Sequence, residues 1–269
     1  MDILTHALSG VAFGTVISGM SNCKFRNRMG FITIGGFGGV LPDIDAISLW
    51  SRFDSTFGRL FGLSHSGKDI YSAKFWYSHH GFMHSFMACL LLGLLLGFVF
   101  YFVQTRFRTF GFKSLVKIFK DNWLYLLVFI FGFILHLLGD LPTPSSSWNG
   151  INLFWPSKHY IGGTGEIWWW NNYDIFLIIL SIIIINVITI FIGRLAIIKV
   201  LKITISIFLL GFVMIIYQIK TRTFDFNYEG HTTKYDFYEQ KSKEIQKQIL
   251  GTKLYGFMVG FDNKLKINF

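Results

Sequence analysis

Four uninterrupted apolar runs, residues 86–103, 123–139, 175–193 and 203–219, divide the chain. Each is long enough to cross the roughly 30 Å hydrocarbon core of a bilayer as a helix. Two earlier segments are weaker. Residues 5–20 are rich in Gly, Ala and Ser and somewhat polar, the pattern of a helix packed against other helices rather than lipid. Residues 29–41 are short and Gly-rich and end at Pro42, which predicts a half-helix, or a full helix only with flanking residues. The pattern predicts an all-α, polytopic helical membrane bundle of about six transmembrane helices over residues 1–219. Residues 48–78 are polar, with Gly58, Gly62 and Gly67, and predict a long loop with room for a short helix. Residues 142–172 predict a second loop, whose Trp168-Trp169-Trp170 run is read as an interfacial aromatic belt in preference to a substrate platform. After Lys220 the pattern changes to a small soluble α/β tail, residues 220–269. Residues 236–250 carry Glu239, Lys243 and Lys247 at helical spacing. Residues 253–269 alternate apolar and polar and predict a hairpin turning at Asp262-Asn263.

Composition agrees with a membrane protein. Of 269 residues, 52% are hydrophobic and 19% aromatic, and the mean hydropathy of +0.48 is one that soluble domains rarely reach. A net charge of +10 would suggest a nucleic-acid partner in a soluble protein. Here the basic residues fall in short loops, where they signal topology, and no nucleic-acid partner is expected. Lys24, Arg26 and Arg28, then Arg106, Arg108, Lys113, Lys117 and Lys120, then Arg194, Lys199 and Lys202 occupy alternate loops. The positive-inside rule then puts Met1 on the extracytoplasmic side. No cleavable signal is evident, and the first segment is expected to remain. Cys23, in a basic loop, and Cys89, in an apolar run, do not suggest a disulfide.

The same topology gathers the candidate chemistry on the extracytoplasmic side. His6, Asp43, Asp45, His79, His80, His84, His136, Asp140, His159 and Glu166 all fall there. Imidazole nitrogen and carboxylate oxygen are normal ligands for Zn²⁺ and related ions. His136 and Asp140 are four apart and share one helix face. His80 and His84 are also four apart, while His79 and His84 suit joint ligation only if one precedes the first helical turn. Asp43 and Asp45 share one side of an extended segment, so one carboxylate can bridge metals while its neighbour orients a histidine. Alternatively the two acids cap a helix, and each histidine alone serves a hydrogen-bonded core. Ionisable groups at a membrane are costly and need partners, and four segments offer them at one depth. His65 and His231 have no such company and are read as surface residues.

These residues carry a family resemblance. The opening Met1-Asp2-Ile3-Leu4-Thr5-His6-Ala7-Leu8-Ser9-Gly10, Leu41-Pro42-Asp43-Ile44-Asp45, the block from His79 to Ser85, the block from His136 to Asp140, and Gly150-Ile151-Asn152-Leu153-Phe154-Trp155-Pro156-Ser157 follow one another in the order of the YdjM-like family. The first 170 or so residues thus resemble that family of membrane-bound metal-dependent hydrolases. Where the family's third block commonly reads His-Arg-Gly-x-Thr-His-Ser, this chain has His80 for the Arg and Met83 for the Thr. The family is in turn distantly similar to zinc-dependent phospholipase C and related single-strand nucleases, helical enzymes holding several zinc ions. That similarity implies phosphoester hydrolysis and a further His and Glu pair that His159 and Glu166 would supply; the resemblance to a membrane-bound family implies a bacterial inner-membrane location.

The functional expectation is a hydrolase with two or more divalent ions, Zn²⁺ first among them, held by His6, Asp43, Asp45, His79, His84, His136 and Asp140. Asp43 or Asp45 would bridge ions or act as base, with His80 taking over part of the missing Arg's role. A site at the outer membrane surface points to membrane lipids as partners and a lipid or lipid-linked phosphoester or ester as substrate. The alternative is a non-catalytic membrane protein with a structural metal or polar cluster, coordinatively closed. Transport would require acidic groups through the bilayer depth, and residues 175–193 and 203–219 carry no Asp, Glu or His.

Overall fold

A computed structural model describes residues 1–20, 24–106, 110–144, 149–193, 200–222, 226 and 235–265. Cys23, Arg108, Arg194, Lys199, His231 and the last four residues of the expected hairpin lie outside the described residues. The described chain is helical, with no strand. Its helices are α1 (Ile3–Ser18), α2 (Phe25–Val40), α3 (Gly67–Ser72), α4 (Phe86–Thr105), α5 (Phe112–Asp121), α6 (Trp123–Asp140), α7 (Tyr173–Ile192), α8 (Val200–Lys220) and α9 (Tyr235–Leu265). Five helices are long and apolar enough to cross a membrane: Phe25–Leu49, α4, α6, α7 and α8. The sixth, α1, is apolar but shorter, at 16 residues.

Of the two readings of residues 29–41, a half-helix or a full helix with flanking residues, the structure has the second. It starts at Phe25 and passes at Leu41 into a 3₁₀ helix, Leu41–Leu49. Pro42 sets the change, since it has no N–H for an α-helical bond and its ring clashes with the preceding turn. Asp43 and Asp45 therefore sit in a 3₁₀ helix, not the extended segment the sequence suggested, and the 3₁₀ helix has no side-chain cap.

Helices α1, α2 and α6 meet backbone to backbone. A Cβ on Gly10 would stand 2.0 Å from the Gly35 carbonyl oxygen, one on Gly132 2.3 Å from the same oxygen, and one on Gly39 2.3 Å from the His6 carbonyl oxygen. Small residues permit this approach, as in other membrane bundles. Helix α7 joins α1 through Asn186, which donates to Thr15 Oγ1 at 3.0 Å, and α8 closes on α7 at Gly211, against Ile182. These contacts run the helices alternately up and down, so the starts of α1, α4 and α7 and the ends of α2, α6 and α8 share one end of the bundle. Arg106 and the lysines of α5, Lys113, Lys117 and Lys120, lie at the other end.

The tail departs from its expected form. Residues 253–265 continue α9 beyond a kink at Gly251 (φ 73°), so the hairpin is absent there. The apparent alternation hides a helical stripe, Tyr255, Met258 and Val259, that packs on Tyr173 and Phe176 of α7. The tail is further fixed by Arg222, which donates to both carboxylate oxygens of buried Asp174 at 2.9 and 2.7 Å, and by Tyr173, which donates to Asp262 at 3.0 Å. Trp168 is wholly buried among Phe226, Tyr235, Tyr238 and Ile245. Of the tryptophan run, Trp168 is the core against which the tail docks, and Trp169 and Trp170 pack half-buried against it.

Candidate metal centre

Local sequence aims each side chain. Asp2 caps α1, accepting from the Thr5 N–H at 2.8 Å, and puts His6 in the first turn. His136 and Asp140 end α6 on one face, as their spacing requires. The block from His79 to Ser85 is not helical. His80 turns the chain at φ 61°, residues Phe82–His84 form one 3₁₀ turn, and Ser85 caps α4 by accepting from the Ala88 N–H. His79, His80 and His84 thus precede the first turn of α4, so His80 and His84 converge by a tight turn rather than by helical spacing.

Four ligand atoms meet at the centre. His84 Nε2 lies 3.2 Å from His136 Nε2. Asp140 Oδ2 is 3.0 Å from His136 Nε2 and 3.5 Å from His84 Nε2, and Asp43 Oδ1 is 3.6 Å from each. Four atoms bound tetrahedrally at roughly 2.0–2.1 Å to one Zn²⁺ would stand about 3.3 Å apart. The ligand atoms of Asp43, His84 and His136 all lie within 4.8 Å of one another and so fit an ion of that size, with Asp140 Oδ2 beside both imidazoles.

The outer nitrogens fix which atoms face inward. His136 Nδ1 is 2.7 Å from the Gly39 carbonyl oxygen, which can only accept, so Nδ1 carries a proton and Nε2 is the nitrogen turned to the centre. Asp45 holds His84 Nδ1 at 3.1 Å and His79 Nδ1 at 2.7 Å, one with each carboxylate oxygen. His80 Nδ1 donates to the Gly150 carbonyl oxygen at 3.1 Å. Histidines that ligate metals are oriented by such outer partners.

Two further groups flank this centre. His6 Nε2 is 3.0 Å from Asp140 Oδ1 and the His6 ring stacks on His136 at 3.8 Å. His6, His136 and Asp140 form one set of neighbouring ligand atoms, and His79, His80 and His84 another. These buried His and Asp groups could hold metal.

A cavity of 230 Å³ reaches the centre, lined by Asp43, His79, His80, Asp140, Tyr71 and Trp170 among others. The buried cluster is thus open on one side. Burial disfavours a charged His84, but Asp45, with the hydrogen bonds to Asp140, Asp43 and Asp45, outweighs it and raises its pKa well above the ordinary value. Burial, then the positive charges of His79 and His84, lower that of His80. Burial and the nearby carboxylates Asp43, Asp45 and Asp140 raise that of Tyr71.

Eight of the ten candidates therefore come together: His6, Asp43, Asp45, His79, His80, His84, His136 and Asp140. His159 and Glu166 do not join them. His159 is exposed on its loop, and Glu166 is ion-paired with Lys220. His65 is exposed, as read from the sequence. Tyr71 of α3, stacked on His79 at 4.6 Å, and the Gly39 and Gly150 carbonyls carry no sequence pattern that would mark them as part of the site.

A family model described as YdjM inner membrane protein matches residues 1–222. The chain belongs to the YdjM inner membrane protein family. The match takes in the whole His and Asp cluster and stops at Arg222, so α9 lies outside it. Membership and the five long apolar helices together make this an inner membrane protein. No curated protein and no solved structure matched the chain.

Proposed function

We propose that this YdjM family member is a membrane-embedded metal-dependent hydrolase acting on a phosphoester or ester of a lipid or lipid-linked substrate. The observation that supports it most is the approach of Asp140 Oδ2 and Asp43 Oδ1 to the His84–His136 Nε2 pair, each carboxylate oxygen 3.0–3.6 Å from both nitrogens, beside a cavity. Carboxylates buried beside a histidine pair call for cationic company, which the Met1 ammonium gives Asp140 Oδ1 at 3.1 Å and a metal ion would give the facing atoms. Zn²⁺ suits two imidazoles and two carboxylates, and the flanking sets give room for a second ion. When bound, such ions supply Lewis acidity and an acidified water.

The chain's own residues divide the remaining work. Asp43 faces both the cage and the cavity, which suits it to hold an ion and take a proton from an entering nucleophile. Asp45 spends both oxygens on His79 and His84 and acts as a positioning residue. His80, kept neutral by burial, and Tyr71 line the cavity and can hold a substrate oxygen. The cluster lies on the extracytoplasmic side in the orientation that the loop charges favour.

A closed, structural metal centre is the competing reading, favoured by the full burial of His6, His84 and His136. Hydrolysis assays separate the two. Purified protein loaded with Zn²⁺ is offered phospholipids, polyprenyl phosphates and simple esters, beside Asp43→Ala and His136→Ala. Turnover lost in both variants supports the enzyme; bound metal with no turnover of any of these supports the structural centre.

A further inference from the structure

An apolar cleft of 250 Å³ lies between α6, α7 and α8, with α1 as its floor. On α8 its wall is a single stripe, from Phe208 through Phe212 and Ile215 to Ile219. The eleven residue rises from Phe208 to Ile219 make that stripe roughly 16 Å long, enough for most of an extended acyl chain. Leu138 of α6 and Ile216 of α8 stand on the rim, 41% and 45% exposed, so the cleft opens sideways. At the other extreme it meets the metal centre. The Met1 side chain lines both this cleft and the polar cavity, and Gly139 of the cleft adjoins Asp140 of the cavity. A Cβ on Gly139 would stand 2.9 Å from the His6 ring, so only a glycine's thickness separates apolar wall from ligand cluster.

From this continuity we infer that the cleft is a binding site for one fatty acyl chain of a membrane phospholipid, with the headgroup end over Gly139 at the metal cavity. The headgroup assignment rests on the hydrolase reading; the chain site does not. The occupant follows from position. The cleft crosses helices that span a bilayer and opens toward its interior, where acyl chains are the most abundant apolar species, so mass action fills it with one. Its lining has no charged side chain, and the polar groups a headgroup needs begin where the lining ends, at Met1, whose ammonium pairs with Asp140, which is the usual make-up of a ligand site. The same placement brings a chain's ester or phosphoester end to Asp43 and Asp140 without lifting the chain from the membrane.

The test measures retained lipid and hydrolysis separately. Protein reconstituted with palmitoyl-oleoyl phosphatidylglycerol is exchanged into lipid-free detergent and its bound lipid counted by mass spectrometry. Leu135→Trp and Ile216→Trp fill the cleft from opposite walls, and Val213→Trp, on the outer face of α8, is the control. The inference predicts about one retained phospholipid per chain in wild type and Val213→Trp, and a loss of roughly tenfold in both cleft-filling variants. Equal retention in all four proteins, none in wild type, or retention only of an isoprenoid lipid carried from the host overturns it. Retention lost in the two variants while wild type hydrolyses no lipid leaves the chain site standing and sinks the hydrolase reading alone.

Discussion

His84 and His136 face each other nitrogen to nitrogen, Nε2 to Nε2 at 3.2 Å, with the far nitrogen of each tied to an acceptor, Asp45 for one and the Gly39 carbonyl for the other. Two imidazoles in that pose repel unless a proton or a metal ion lies between them, and Asp43 and Asp140 add two carboxylates to the same point. The raised pKa of His84 supplies the proton when no metal does.

Metal uptake must expel that proton. Because His84 has a raised pKa, competition extends upward through neutral pH rather than ending near the ordinary histidine value. Apparent Zn²⁺ affinity should fall about tenfold per unit as pH drops below the raised pKa, with about one proton released per ion. Competitive chelator titrations at several pH values, with proton release followed in weak buffer, check both; a pH-independent affinity contradicts the assignment.

Asp45 touches two histidines without entering the cage. Asp45→Asn keeps its shape but weakens its hold on the Nδ1 protons, so metal affinity should drop by roughly 10–100-fold while the ligand atoms remain. Unchanged affinity would mean that Asp45 orients nothing.

His159→Ala and Glu166→Gln should leave metal content at the wild-type level, because the first residue is exposed and the second is engaged by Lys220. Loss of metal in either variant would put a ligand where the structure has none.

Gly10→Ala tests the packing on which the centre stands. The added methyl would meet the Gly35 carbonyl at 2.0 Å, forcing α1 and α2 apart at a cost of ~1–3 kcal/mol. Thermal unfolding in detergent should show a lower midpoint than for Gly256→Ala, where the new Cβ meets nothing within 4 Å.

Much of this was legible in the chain. Long apolar runs announce the membrane helices, and the spacing of His136 and Asp140 fixes their common face, because both are local properties of one helix. The rest depends on tertiary structure. Asp43 and Asp45 look extended in sequence, but Pro42 turns α2 into a 3₁₀ helix and divides them between cage and outer support. The spacing of His80 and His84 suggests a helix, yet Gly81 and the Ser85 cap delay α4 until after both. Trp168 reads as an interfacial residue because nothing near it in sequence reveals that Phe226 and Ile245 will enclose it.

The central claim is that His84, His136, Asp140 and Asp43 share a metal ion. Its most direct measurement is the metal content of purified protein, by elemental mass spectrometry, for wild type and for His136→Ala combined with Asp140→Ala. The account predicts stoichiometric transition metal, zinc foremost, in wild type and its loss in the double variant with the helical fold retained. Wild-type protein without stoichiometric metal after zinc loading, or equal metal in the two proteins, would contradict it.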